Sequence, residues 1–220
     1  MQEWSDASLL LVAHGSSRYP QAADHLLRLA DRLRQRKLFA RIDVAFWRQQ
    51  PELSKDHLQG ERIFLLPYFA GVGKHTEELI PERLGKDSRI RYCQPIGANP
   101  CIPDLIERRL ANRDAALLLV AHGSHHHAAS RTPEAIAATL RQRGKFAEVA
   151  VAYLEQEPNA RNWRRLVSRS EVIVQPLLLA AGMHASDELP ALFPGLQIQG
   201  GIGSDEDIIA MMLEQIEAAS

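Results

Sequence analysis

The chain has 220 residues, a formal net charge of −1 and a hydrophobic content of 45 %. That length allows one large or two small domains with a real apolar core, and the near-neutral charge argues against nucleic acid as a partner, because neutralising phosphates needs a basic surplus. The apolar runs are too short to span a bilayer, and the N-terminus shows no signal-peptide pattern, so we expect a cytoplasmic protein without a membrane partner. Two cysteines, Cys93 and Cys101, are too few for a disulfide framework and are expected to be reduced.

The first half of the chain reads as strands alternating with helices. A helical pattern covers residues 22–36, where Leu26, Leu29, Ala30 and Leu33 recur at helical spacing with Arg and Asp opposite. The β-rich runs are LLLVA (9–13), RIDVAFW (41–47), RIFLLPYF (62–69) and RIRYCQPI (89–96). The second half repeats the scheme with ALLLVA (116–121), AEVAVAYL (147–154), EVIVQPLLL (171–179) and LQIQGGI (196–202).

An internal repeat organises the whole chain. The octapeptide LLLVAHGS occurs at 9–16 and again at 117–124. In the same order, VAFWRQQP (44–51) matches VAYLEQEP (151–158), and residues 63–81 match residues 172–190. We interpret the chain as a tandem duplication with domains 1–112 and 113–220.

The fold class follows from the strand pattern. Several strands are apolar nearly throughout, which is typical of sheets covered by helices on both faces. Strand–helix alternation favours parallel sheets with right-handed crossovers. The sequence therefore predicts an α/β protein of two tandem doubly wound domains, each with a four-stranded parallel sheet, facing each other across a cleft.

Three side chains of the second half follow three of its strands. His122 comes directly after LLLVA, Glu155 ends the next strand, and His184 lies in the turn AAGMH after the third. Ligands of open α/β sheets bind beyond the carboxyl ends of the strands. Two imidazoles and a carboxylate form a site for iron, cobalt, nickel or zinc, and they are equally suited to acid–base work.

The first half differs at one of these positions. It keeps His14 and His75, but Arg48 stands where the second half has the glutamate, and a guanidinium cannot ligate a metal. Two interpretations stay open: the first-half residues are remnants of a lost site, or they line a pocket for an anionic substrate. The second half also has a longer loop with His125, His126 and His127, which is either a metal-capturing cluster or a solvent-exposed polar loop.

The ordered motifs resemble those of the sirohydrochlorin chelatases, the type II tetrapyrrole chelatases of cobalamin and sirohaem biosynthesis. The motifs are AHGS after a strand, a strand followed by proline, and the segment P-L-L-L…G-x-H-x-x-D-x-x-P. The resemblance covers nearly the whole chain, once per half. It implies a lyase that inserts Co²⁺ or Fe²⁺, and in some members Ni²⁺, into sirohydrochlorin without ATP or an organic cofactor. The family's histidines fall on His122 and His184, and its acidic residue falls on Glu155.

The residues present are consistent with that chemistry. A neutral imidazole can accept a pyrrole proton, and a carboxylate lowers the free energy of a nearby dication. The substrate of the resembled family is a polycarboxylate, so cations beside the strand ends are candidate substrate contacts. These are Arg18, Arg48, Lys74 and Arg131.

Two other functions remain compatible with the sequence. A non-catalytic metal- or tetrapyrrole-binding carrier would account for a degenerate first half. A histidine-dependent phosphatase is disfavoured, because Ala13 and Ala121 stand before His-Gly, where such enzymes usually have arginine. The oligomeric state, monomer or homodimer, is left open by the sequence.

Overall fold

The computed structural model describes residues 4–110, 114–123, 131–179, 188–202 and 204–220. Its strands are β1 (Trp4–Ala13), β2 (Phe39–Phe46), β3 (Ile63–Tyr68), β4 (Ile90–Tyr92), β5 (Ala116–Ala121), β6 (Glu148–Tyr153), β7 (Val172–Pro176) and β8 (Gln197–Ile198). Its α-helices are α1 (Asp24–Gln35), α2 (Ile80–Leu84), α3 (Ile102–Arg109), α4 (Arg131–Arg143), α5 (Leu189–Leu192) and α6 (Asp205–Ala218).

The strands form two four-stranded sheets with the same topology. Their orders are β2-β1-β3-β4 and β6-β5-β7-β8, and every neighbouring pair is parallel. The predicted fold class, two α/β repeats with four-stranded parallel sheets, is therefore confirmed. From β1 the chain first moves to one neighbour and then to the other, so ligands are expected at the carboxyl ends of β1 and β3, and equally of β5 and β7.

The central strands explain why this pattern could be read from the sequence. Leu9 to Val12 of β1 and Leu117 to Val120 of β5 are essentially inaccessible to solvent on both faces of their sheets. In the first sheet, α1 buries the predicted stripe of Leu26, Leu29, Ala30 and Leu33. No disulfide bond joins Cys93 and Cys101. In the described part of the chain, none of the helices has the length and apolar character needed to cross a bilayer.

The compact units of the structure differ from the repeats by one helix each. Unit 1 comprises Met1–Asn99 with Asp205–Ser220, and unit 2 comprises Pro100–Ser204. Helix α6, at the end of the second repeat, packs on α1 and β3, whereas α3, at the end of the first repeat, packs on α4. Because each of these helices packs on elements of the other repeat, the compact units do not coincide with the predicted domains 1–112 and 113–220.

Polar contacts fasten the start of α6 to α1 within unit 1. His25 Nε2 lies 3.0 Å from Asp205 Oδ1, and His25 Nδ1 lies 2.9 Å from the hydroxyl of Tyr68. Arg32 donates to the second oxygen of Asp205 at 3.1 Å, and it also pairs with Glu206. Because Asp205 follows a segment of unit 2, these contacts help to hold α6 on unit 1.

Replacing Asp205 by asparagine should weaken unit 1 in a pH-dependent way. The hydrogen bond from His25, with that from Arg32, holds the pKa of Asp205 below its ordinary value. A lowered pKa stabilises the fold above the unfolded value of about 3.9, and this stabilisation is lost as the pH falls through the folded value. Chemical unfolding at pH 7 should show a loss of about 1 kcal/mol, limited by solvent screening, and the difference from wild type should vanish in strong acid.

Asp31 provides the matched control for this substitution. It forms an exposed ion pair with Arg34 one turn along α1, so Asp31→Asn should change the free energy of unfolding by less than about 0.5 kcal/mol. Equal effects of the two substitutions at pH 7 would show that Asp205 does not secure α6.

Candidate functional site

Backbone hydrogen bonds place the same pair of positions side by side in both units. His14 follows β1, and its carbonyl oxygen accepts from the amide of Arg48 at 2.8 Å. His122 follows β5, and its carbonyl oxygen accepts from the amide of Glu155 at 3.0 Å. The parallel pairing thus continues one step beyond the strands. The arginine and the glutamate occupy equivalent places at the carboxyl ends of the two sheets.

The glycine after each histidine is required by the close approach of the next strand. Gly15 has a φ of 65° and Gly123 a φ of 82°, both in the left-handed region. A Cβ on Gly15 would lie 2.8 Å from Cβ of Gln49, and one on Gly123 would lie 2.9 Å from Cγ of Gln156. The repeated His-Gly is therefore a geometric necessity of the turn that presents the imidazole.

Both histidines have their Nδ1 atom beside the carbonyl of that glycine. The distance is 2.9 Å from His14 to Gly15 O and 3.0 Å from His122 to Gly123 O. A carbonyl can only accept, so this contact favours the tautomer with the proton on Nδ1. Nε2 of the neutral ring then has a lone pair for a metal or a proton, the usual arrangement of a metal-binding histidine.

In unit 2 a carboxylate lies next to this imidazole. Glu155 Oε2 is 3.6 Å from His122 Nδ1, and the two side chains are 56 % and 42 % exposed. The carboxylate places a negative charge beside the ring, which favours the approach of a dication from solvent.

In unit 1 the corresponding region is aromatic and cationic. His75 begins a π-helical turn, His75–Leu79, and its ring lies 5.0 Å from that of His14 and 5.5 Å from that of Trp47, between centroids. Partial burial, with the charges of His14, Arg48 and Lys74, lowers the pKa of His75. His75 is therefore held neutral in a setting that repels cations.

The sequence did not single out Trp47 and Arg83, which complete this region. The Arg83 guanidinium lies 3.7 Å from the centroid of the Trp47 ring and donates to Glu52 at 2.8 Å. Trp47 directly precedes Arg48 in the motif VAFWRQQP, so its place in the motif could have indicated that it lies at the site. Arg83 sits on α2, far along the chain, and nothing in the local sequence connects it to β2.

Several predicted site residues lie outside the described residues. These are His184, which follows β7 in the sequence, and His125, His126 and His127. Across the described ranges, no three His, Cys, Asp or Glu side chains gather as a metal site would require. Of the predicted set, the structure brings together His122 and Glu155 in unit 2 and His14 and His75 in unit 1. Among the candidate cations, Arg18 lies over the ring of Tyr19, and Arg131 begins α4.

Known proteins are similar to this chain in sequence. It is 24 % identical over 221 residues to a probable sirohydrochlorin cobaltochelatase of Halobacterium salinarum, covering 83 % of this chain and 75 % of that protein. It is 27 % identical over 203 residues to a sirohydrochlorin ferrochelatase of Priestia megaterium, covering 82 % of this chain and 76 % of that protein.

A solved structure agrees with this fold at lower identity. The sirohydrochlorin chelatase SirB of Bacillus subtilis subspecies spizizenii, in complex with cobalt, superposes with a TM-score of 0.76. The match has 19 % identity and covers 97 % of this chain and 95 % of that chain. The CbiX family model matches twice, at residues 8–113 and 116–219, in agreement with the repeat. The chain therefore belongs to the CbiX family.

Proposed function

We propose that this protein is a sirohydrochlorin chelatase that inserts Co²⁺ or Fe²⁺ into the macrocycle, with the second half carrying the reaction. The observation that carries the proposal is His122 with Nδ1 on a carbonyl and a carboxylate 3.6 Å away, at the end of a central strand. The curated relatives support the reaction, since their names are sirohydrochlorin cobaltochelatase and ferrochelatase.

In this proposal the metal is a substrate that is held and then released. His122, His184 and Glu155 hold the ion, and a site with nitrogen and oxygen ligands but no thiolate accepts cobalt, iron and nickel. Metal insertion displaces two pyrrole protons. Once the metal has left His122, its Nε2 atom accepts one of them, and the other passes to solvent. Glu155 stabilises the resulting imidazolium. His125, His126 and His127 would capture metal on entry.

In this scheme the cationic side chains of the first half bind the organic substrate. Arg48 cannot bind a metal, but it can pair with a carboxylate of the tetrapyrrole. The proposed reaction needs no ATP and no organic cofactor. We further expect the protein to act in the cytoplasm, as a monomer or a homodimer, without nucleic acid or membrane partners.

The insertion reaction can be followed directly by absorbance. Purified protein with sirohydrochlorin and Co²⁺ should convert the spectrum of the free macrocycle to that of the metal complex faster than the mixture without protein. A rate equal to the spontaneous rate would eliminate the chelatase function. Saturable binding of metal or macrocycle without insertion would instead identify a carrier, a function compatible with the His14–His75 pair of unit 1.

Glu155→Gln should weaken metal delivery while leaving the fold intact. Because Glu155 is exposed and its charge acts on a nearby dication, we expect the affinity for Co²⁺ to fall about 10-fold or more. The matched control is Glu157→Gln, which removes the same charge two residues away, where an amide oxygen can still accept from Asn159 N. Isothermal titration with Co²⁺ measures both. Equal affinities for the two variants would remove Glu155 from the site.

A further inference from the structure

We propose that a cavity of unit 1, beside the carboxyl end of β2, binds a peripheral carboxylate of the tetrapyrrole through Arg48 and Arg83. The inference rests on the proposed function and extends it, because it assigns the first half a task in substrate binding. It also chooses between the two interpretations of Arg48, remnant or pocket lining.

The cavity has a volume of about 650 Å³ and a lining suited to an anion. Two guanidinium groups line it together with hydroxyl and amide side chains and the indole of Trp47. The carboxylate of Glu52 also lines it, and this negative charge is paired with Arg83. The polar lining residues are Ser16, Ser17, Arg48, Gln49, Gln50, Glu52 and Arg83. A carboxylate needs several hydrogen-bond donors arranged around it, and arginine offers a planar pair of them.

Arg83 is held in place before any substrate arrives. Its guanidinium stacks on Trp47 at 3.7 Å, and its Nη1 donates to Glu52 at 2.8 Å. Within the described part of the chain, this is the one hydrogen bond that its guanidinium makes, so further donors remain for a ligand. Stacking on an indole fixes the plane of the fork, which lowers the entropy lost when a carboxylate binds.

Arg48 adds a second positive charge that the fold leaves available. It is exposed, and in the described ranges its side chain makes no hydrogen bond or ion pair. Its backbone is anchored to His14, so the position beside the strand end is fixed. Burial is the main cause of the lowered pKa of His75, and the nearby charges of His14, Arg48 and Lys74 lower it further.

Binding of metal-free sirohydrochlorin tests the subsite separately from metal insertion. Arg48→Gln and Arg83→Gln should each raise the Kd about 10-fold, the effect of losing a hydrogen bond between charged groups. The control is Arg41→Gln, which removes the same charge near the opposite end of β2, where Arg41 pairs with Asp43. Its Kd should stay within about two-fold of wild type, since a remote exposed charge is screened. Fluorescence titration at two salt concentrations gives all values.

The salt dependence of binding tests whether the bound ligand group is charged. Raising the ionic strength should weaken wild-type binding more than binding by Arg48→Gln, because the variant has lost one of the screened contacts. Among the described residues the Arg48 side chain has no hydrogen-bond or ion-pair partner to lose. Its variant should therefore remain folded and keep the test valid even if Arg83→Gln does not.

Three outcomes would overturn the subsite. They are Kd values for Arg48→Gln and Arg83→Gln that equal that of Arg41→Gln, identical salt dependence of wild type and Arg48→Gln, and tight binding of the neutral octamethyl ester of the macrocycle. Failure of the proposed function has a different signature. In that case wild type binds the macrocycle in an arginine-dependent way but inserts no metal.

Discussion

His122→Ala is expected to lower kcat/KM for metal insertion by about 100-fold or more, the scale of losing a positioned base that also holds the reacting metal. The Nε2 atom of His122 has the lone pair for both tasks, because Nδ1 is engaged by the carbonyl of Gly123 at 3.0 Å. Alanine removes both while leaving the turn and the strand unchanged. Steady-state insertion of Co²⁺ into sirohydrochlorin, followed by absorbance, measures the loss, and His184→Ala should behave in the same way.

His14→Ala is the internal control that the duplication provides. The residue has the same place after a central strand and the same contact with a glycine carbonyl, at 2.9 Å. Its neighbour is Arg48 in place of Glu155, so its loss should change kcat/KM by no more than a few-fold, and His75→Ala should do likewise. Equal losses from the two halves would mean that both contribute equally to metal insertion.

Gly123→Ala is expected to destabilise unit 2 by about 2–4 kcal/mol. A residue with a side chain in the left-handed region costs about 1–3 kcal/mol, and overpacking adds a similar amount, because the new Cβ would lie 2.9 Å from Gln156 Cγ and 3.1 Å from Tyr153 Cβ. Relief of this clash would shift the turn that carries His122, so metal insertion should fall as well. Urea unfolding and the insertion assay measure the two effects.

Gly144→Ala separates the two contributions. Gly144 has a φ of 62°, yet no atom lies within 4 Å of the position where its Cβ would be. Its substitution should therefore cost only the backbone part, about 1 kcal/mol, with full insertion activity. If Gly123→Ala is no more harmful than Gly144→Ala, the close approach of β6 does not explain the glycine in His-Gly.

Much of the fold could be predicted because its signals are local. The central strands are buried on both faces and so appear as continuous apolar runs, and α1 buries one stripe of regularly spaced residues. The repeat showed which positions of the two halves are equivalent. The hydrogen bonds from the backbone amides of Arg48 and Glu155 to His14 and His122 agree with that alignment. The order of motifs was enough to identify the family.

The features that the sequence did not reveal depend on contacts between distant segments. The amphipathic patterns of α3 and α6 do not indicate which sheet these helices cover. The sequence therefore could not predict that α6 joins unit 1 and α3 joins unit 2. The stacking of Arg83 on Trp47 joins α2 to the end of β2 in the same way. The position of Glu155 beside Nδ1 of His122 also needed coordinates, because sequence order places it only at the same edge.

We propose that the two copies of LLLVAHGS introduce sites of opposite charge preference. After His122 a carboxylate favours a dication, and after His14 a guanidinium favours an anion. A chelatase must bind a cation and a polycarboxylate, and a duplicated chain can give each task to one half. In this account, the difference between Arg48 and Glu155 at equivalent positions assigns metal binding to the second half and macrocycle binding to the first.

The location of bound metal tests this account most directly. A crystal of the protein soaked in Co²⁺ and measured at the cobalt absorption edge reports the position of the ion by anomalous scattering. We predict one strong peak at about 2 Å from Nε2 of His122, with Glu155 and His184 around it. A peak at His14 and His75, with none at His122, would contradict the assignment of the metal to the second half.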